Sequence, residues 1–459
     1  MKKETKILSY NNILKKWLFS LLILSLVIQV HASSVPSKNK PQKEQFVTAE
    51  LKLDFRPNVE IELFEHDATI LPSKNNEIHI KVAYIAKGLE ENEAAIVEKA
   101  MRENLIKKEG ANIKISTRFY KHYSQISLGP LWGKTYMHLE NGKKIAFEEF
   151  KYTKIEISLP SKMDLTIDSK YNKIRQKHSI QGDLTIDGYD MEYRLPGISG
   201  ELKIDGKYST YYIPEAGDAT LNLYECKIRS DKLGKVNADA KYSSIRIASM
   251  QSLKFKAYEG ELKVEKLKDA LIDAKYVEID LGEGHNIVVD LYEGHLNIEN
   301  ANKLEVNAKY LESQIGILGA LEMSNGYEND FRIKKINSIK SKNGKYCQFE
   351  IEELTETAHL LSSYEDDLSI DNLSKTFKTI QTEGKYMVIK LGVERAANYY
   401  LQGNIQYHNF DFNQSDFSNI IHKEDGSKVN YKYLRGSSEE PSKTIELSGY
   451  EIDVIIDHK

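Results

Sequence analysis

The sequence predicts an all-β fold, a parallel β-solenoid (right-handed β-helix) of about thirteen short coils, and three observations carry that prediction. The first is a strict interval: Lys207, Tyr224, Lys241, Tyr258, Lys275, Tyr292 and Lys309 follow one another every 17 residues without an insertion. The second is a set of apolar columns in the same phase, beginning with Leu202, Ala219, Val236, Leu253, Ala270, Ile287, Leu304 and Leu321. The third is that the next columns follow two residues apart, as in Ile204, Leu221, Ala238 and Phe255, which is the strand period. A unit this small cannot bury its apolar face alone, whereas units stacked at about 4.8 Å share one core.

Each unit reads as a strand, a corner and a shorter strand. The alternation resumes after the corner with Tyr211, Ile228, Ile245, Leu262, Ile279 and Leu296, and the intervening positions are polar. The phase loosens outside this stretch but continues from Lys170-Tyr171 to Lys385-Tyr386, so the repeats span 161–390. About thirteen coils at about 4.8 Å give a rod on the order of 60 Å long. An antiparallel meander is the competing architecture and leaves one apolar face uncovered.

Corners alternate between Lys-Tyr, as in Lys241-Tyr242 and Lys275-Tyr276, and Tyr-Glu, as in Tyr224-Glu225 and Tyr258-Glu259. In register, Lys lies over Tyr, so like charges stand two rungs apart and an ammonium is expected over each ring face. Each hydroxyl is also expected to reach a carboxylate above or below. The structural reading of this file is a stabilising ladder. The functional reading is a docking strip formed by Lys207, Tyr224, Lys241, Tyr258, Lys275 and Tyr292, because exposed aromatic surface marks recognition. Trp132, in the loop Gly129-Pro130-Leu131-Trp132-Gly133, is a further candidate contact.

The ends depart from the period. Lysines 2, 3, 6, 15 and 16 precede the apolar run from Trp17 to Val30, and Val30-His31-Ala32 offers a small-residue cleavage site. Residues 1–32 therefore read as a signal peptide, with an uncleaved anchor as the alternative, and 33–45 as a flexible polar leader. The mature chain is expected outside the cytoplasm, in the periplasm or at the cell surface, without an integral membrane span and without a cysteine for lipid attachment near the cleavage point. Residues 46–160 read as a strand-rich N-terminal cap with one amphipathic helix over 89–107, its stripe being Ile96, Val97, Ala100, Met101 and Leu105. Residues 391–459 read as a C-terminal cap closed by two strands, 444–447 and 452–456.

A formal net charge of −4 from 64 basic and 68 acidic residues argues against a nucleic-acid surface. Cys226 and Cys347 lie seven coils apart, roughly 34 Å, beyond disulfide reach, so free thiols are expected. No metal-ligand spacing, phosphate loop or nucleophile elbow is present, and no cofactor is expected. Asp239, Asp273 and Asp290 share one outward file about 5 Å per step, a spacing that a retaining glycosidase pair or a cation could use. They follow the period rather than breaking it, which favours solvation over catalysis. His285 and His295 read as surface residues at a turn.

Ala240-Lys241-Tyr242-Ser243-Ser244-Ile245, Ala274-Lys275-Tyr276-Val277-Glu278-Ile279 and Asp168-Ser169-Lys170-Tyr171-Asn172-Lys173-Ile174 resemble the repeats of exported bacterial adhesin-type β-strand-repeat proteins, close to auto-transporter adhesin heads. The resemblance covers roughly 46–459. It implies right-handed coiling and a place in the cell envelope, and it brings no catalytic residues. The functional expectation is a non-catalytic scaffold or adhesin-like protein binding a cell-surface glycan or an envelope protein. The alternative is a carbohydrate-binding or carbohydrate-cleaving β-helix.

Overall fold

The computed structural model describes residues 44–127, 133–436 and 441–459. The segment expected to be a signal peptide, nearly all of the expected leader and Trp132 fall outside the described residues. The described chain is almost entirely strand, with one α-helix and one short 3-10 turn.

Through the centre, each strand pairs in parallel with the one a repeat further along. Leu202 lies beside Ala219, Ala219 beside Val236, and Leu253 beside Ala270. The pairing is therefore parallel rather than a meander. Toward both ends the offset lengthens, with Leu165 beside Leu184 and Ile315 beside Ile333, which is why the phase of the sequence loosens there. All eight residues of the first apolar column are buried, as are Ile245, Leu262 and Ile279 after the corner. Period-two alternation, repeated in register, thus makes one continuous apolar interior.

Gly188 and Gly206 are registered neighbours in the column that holds leucine and alanine from Leu223 to Ala308, and one side chain explains both. The ring of Tyr211 turns back beneath the corner, so a Cβ on Gly206 would stand 2.7 Å from the Tyr211 hydroxyl. It stands 2.3 Å from a Cβ on Gly188 as well, so one ring supplies the volume that both glycines leave.

The N-terminal region pairs with the first repeat strand. Strands Gln45–Lys52, Glu77–Lys87 and Glu149–Leu159 pair antiparallel, while Asn58–Phe64 lies between Asn112–Ser116 and the first repeat strand, Asp164–Gln176. Helix α1, Glu91–Leu105, buries Val97, Ala100, Met101 and Leu105 of the expected stripe, leaves Ile96 half-buried, and is slightly shorter at each end than 89–107. Its start is fixed by the Glu93 carboxylate, which accepts the Glu90 N–H at 3.1 Å. A separate antiparallel sheet holds Tyr120–Ser127, Gly133–Leu139 and Lys144–Phe147.

The C-terminal end differs from expectation. Thr444–His458 is one continuous strand, not two, and it does not close the stack. It inserts in parallel between Thr379–Val393 and Tyr399–Asp411, and the outer layer is the antiparallel set 399–411, 428–435 and 417–425. A polar cluster fastens it. The His458 imidazole meets the Tyr399 hydroxyl at 2.9 Å and the Asp416 carboxylate at 3.3 Å, and Asp416 also meets Arg435 at 3.6 Å. Burial, reinforced by Arg435, holds the His458 pKa below its ordinary value. No helix among the described residues is long and apolar enough to cross a membrane.

Candidate functional site: the tyrosine corner

Every corner turns on one residue in the left-handed region. From Tyr171 to Tyr386, and on through Glu451 and Tyr407, these residues have φ between 49° and 60°. None of them is glycine, and they alternate between tyrosine and an acidic residue: Tyr208, Glu225, Tyr242, Glu259, Tyr276, Glu293. Left-handed backbone costs an L-residue about 1–2 kcal/mol. That cost recurs at every corner, so something recurrent must offset it.

The offset is a column of rings. When the left-handed residue is acidic, the residue before it is tyrosine, so each rung supplies one ring from one of two adjacent positions. Fifteen tyrosines form this column, from Tyr171 to Tyr386 and then through Tyr450 to Tyr407. Successive centroids are 5.2–5.8 Å apart and ring planes cross at 71–83°. Edge-to-face pairs add about 0.5–1.5 kcal/mol each beyond burial, which is the size of the backbone cost. Alternating attachment is what tilts the rings. Phe331 and Phe349, attached at registered positions in the interior, stack instead with planes 4° apart.

This corrects the expectation of an ammonium over each ring. Lys207 is in register with Tyr224 and Tyr224 with Lys241, as the spacing requires, but each ring contacts the next ring. Among the described residues, the cation–π contact at this corner is Lys170 over Phe64, at 5.9 Å. The carboxylate partners differ too. Glu328 and Glu365 accept from Tyr327 and Tyr364, the residues immediately before them rather than those above or below, and these hydrogen bonds raise both phenol pKa values.

Among the described residues, the charges flanking the column form no ion pairs. On the flat faces, lysines find a carboxylate one rung away: Lys232 with Glu215 at 3.2 Å, Lys266 with Glu283 at 3.4 Å, Lys335 with Glu353 at 3.0 Å. Among the described residues, Lys207, Lys241, Lys275, Lys309, Lys345 and Lys385 form no ion pair, and neither do Glu225, Glu259 and Glu293. The cause is geometric, because the rung above and below each corner lysine presents tyrosine. Tyr242, Tyr258, Tyr276, Tyr292 and Tyr310 remain 38–44% exposed. The result is a ring column in which lysines occupy one register position and acidic residues the next, each file repeating every second rung.

Beneath it lies a buried file that the sequence left unread. The residue after each left-handed position points inward, and where it is polar it caps the preceding rung. Ser209 accepts the Met191 N–H at 3.1 Å, Ser243 the Cys226 N–H at 3.0 Å, Asn329 the Leu311 N–H at 3.0 Å and Asp366 the Cys347 N–H at 2.9 Å. These bonds satisfy amides that the kink removes from the ladder. Asp366 is fully buried with Oδ2 unpartnered, and burial pushes its carboxyl up to about 6. Cys226 and Cys347 belong to this file, buried and free as expected, and burial raises the Cys347 thiol to about 11.

The other candidates are dispersed. Asp239, Asp273 and Asp290 lie along an open depression of about 710 Å³, with Asp290 accepting a hydrogen bond from Asn307 at 3.0 Å. His285 and His295 are exposed, and His295 meets Glu312 at 3.1 Å. In the small sheet, Ser124 Oγ lies 2.7 Å from His138 Nε2, a contact the sequence did not signal, and among the described residues no carboxylate meets that imidazole. Among the described residues, no group of three or more His, Cys, Asp or Glu is arranged to hold a metal ion.

No family model matches the chain, and no curated protein matches it. One solved structure, described as a "putative cell adhesion protein" from Clostridium sporogenes ATCC 15579, is similar at 10% identity and covers 91% of this chain and 100% of its own, with a TM-score of 0.14. A superposition that loose carries no argument about function.

Proposed function

We propose that the chain is an exported, non-catalytic β-solenoid of about thirteen right-handed coils that acts as an adhesin-like docking scaffold of the cell envelope. Its tyrosine corner is the docking strip. One observation carries this reading: a left-handed corner needs only glycine or asparagine, yet every corner here is filled so as to extend a half-exposed aromatic column flanked by charges that form no ion pairs among the described residues. Exposed aromatic surface rimmed by charge is the composition of recognition surfaces. The parallel register at 17 to 19 residues supports the solenoid. The repeat resemblance supports the handedness and the envelope location.

A glycan array with assay of reducing-end release tests the reading. Retention without release supports adhesion, release supports the carbohydrate-cleaving alternative, and neither leaves a scaffold for protein partners. Replacing Tyr258 and Tyr292 by serine then separates docking from stability. Loss of ligand with unchanged melting supports the docking strip, whereas loss of melting temperature alone reduces the column to a structural ladder.

A further inference from the structure

Resting on that docking reading, we infer that the stretch Tyr258–Glu328 of the strip takes a basic polyproline-II segment of a partner protein, with a lysine or arginine at every third residue. The period is unbroken here, but two rungs lack an inner side chain. Gly260 and Gly294 occupy the position that elsewhere turns a side chain inward, and their backbone is drawn onto the preceding rung: an added Cβ would stand 2.3 Å from the Ser243 carbonyl oxygen and 2.5 Å from that of Val277. The drawn-in backbone borders a depression of about 810 Å³ beside the column, lined by Tyr276, Tyr292, Tyr310, Glu278, Glu293 and Glu312. Rings and carboxylates together favour a cation, which gains from both the ring quadrupole and the charge. Glu312 meets His295, while Glu278 and Glu293 form no ion pair among the described residues.

Period selects the conformation of the ligand. Glu259, Glu293 and Glu328 repeat every second rung, about 9.6 Å at about 4.8 Å per rung. A polyproline-II chain returns to the same side every three residues, about 9.3 Å, and docks on aromatic-lined surfaces without further ordering cost. A β-strand returns every second residue, about 6.7 Å, and falls out of step with the carboxylates within two turns. The lysines of the strip occupy the register position before that of the acids, on alternate rungs, so they do not share the carboxylate file.

Fluorescence anisotropy with the full chain and labelled peptides tests this. A (Pro-Pro-Lys) repeat is expected to bind, to weaken with salt, and to lose roughly tenfold on combined Glu259→Gln, Glu293→Gln and Glu328→Gln, with melting unchanged. Equal binding of a (Pro-Pro-Glu) repeat, equal or tighter binding of an alternating Lys-Thr peptide, or indifference to the triple variant each overturns it. Should a glycan bind through Tyr258 and Tyr292 while all peptides fail, this inference falls and the docking reading stands.

Discussion

The outer column and the buried file beneath it belong to the same corners, and they follow opposite rules. Outside, tyrosine recurs at every rung and charge alternates without exception from Lys170 to Glu451. Two residues inward from the corner lysine, the file runs Ser209, Cys226, Ser243, Gly260, Val277, Gly294, Leu311, Asn329, Cys347 and Asp366, with no chemistry in common. The inner positions must fill space and cap an amide where one is exposed, and many side chains do that. The outer positions must keep rings in contact along the whole stack, and a single wrong residue opens a gap on both sides. Order is therefore strictest where the surface is wet, the reverse of the usual relation between burial and constraint.

Three substitutions sharpen that contrast. The largest effect belongs to the inner file and depends on pH. The native Asp366 carboxyl keeps its proton to about pH 6, while the unfolded one releases it near 3.8. The native state thus binds more protons in between, and stability falls as pH rises from about 4 to about 6. Asp366→Asn keeps the acceptor for Cys347 and cannot ionise. Its stability relative to the parent, from urea unfolding at stepped pH, is expected to rise by on the order of 3 kcal/mol across that window. A flat difference would mean that the carboxyl titrates normally.

The intermediate effect belongs to the rings. Tyr276→Asn places a residue suited to left-handed backbone but removes two edge-to-face contacts, those with Tyr258 and Tyr292. Calorimetric unfolding is expected to show a net loss on the order of 1 kcal/mol. The smallest effect has the opposite sign. Glu293→Asn sits at the same backbone geometry, with φ of 55°, without a ring to lose, and should gain about 0.5 kcal/mol in the same measurement. If both asparagine variants move in one direction, the rings do not offset the backbone cost.

The repeat was legible because its rule is local. Lys207 through Lys309 fall on one interval, and the columns from Leu202 to Leu321 alternate with polar positions, so parallel stacking and a shared interior follow from strand period alone. The position of the tyrosine column was legible for the same reason. Its energetics were not. The phase puts Lys207 over Tyr224, which suggests a cation over a ring. Only the left-handed φ at Tyr208 shows that Tyr208 and Tyr224, attached one position apart, bring their rings together.

The C-terminal strand marks the other limit. Its alternation identifies Thr444–His458 as strand, but a strand pattern carries no address, and His458 reaches Tyr399 and Asp416 across separations no local signal spans. By itself, the amino-acid order determined the period, the faces and the free thiols, because each follows from spacing along the chain. Tertiary structure decided which rings touch, which charges form ion pairs, that Asp366 is buried with Oδ2 unpartnered, and where the last strand inserts. Those outcomes depend on backbone handedness at single residues and on pairing between distant segments, neither of which a one-dimensional pattern encodes.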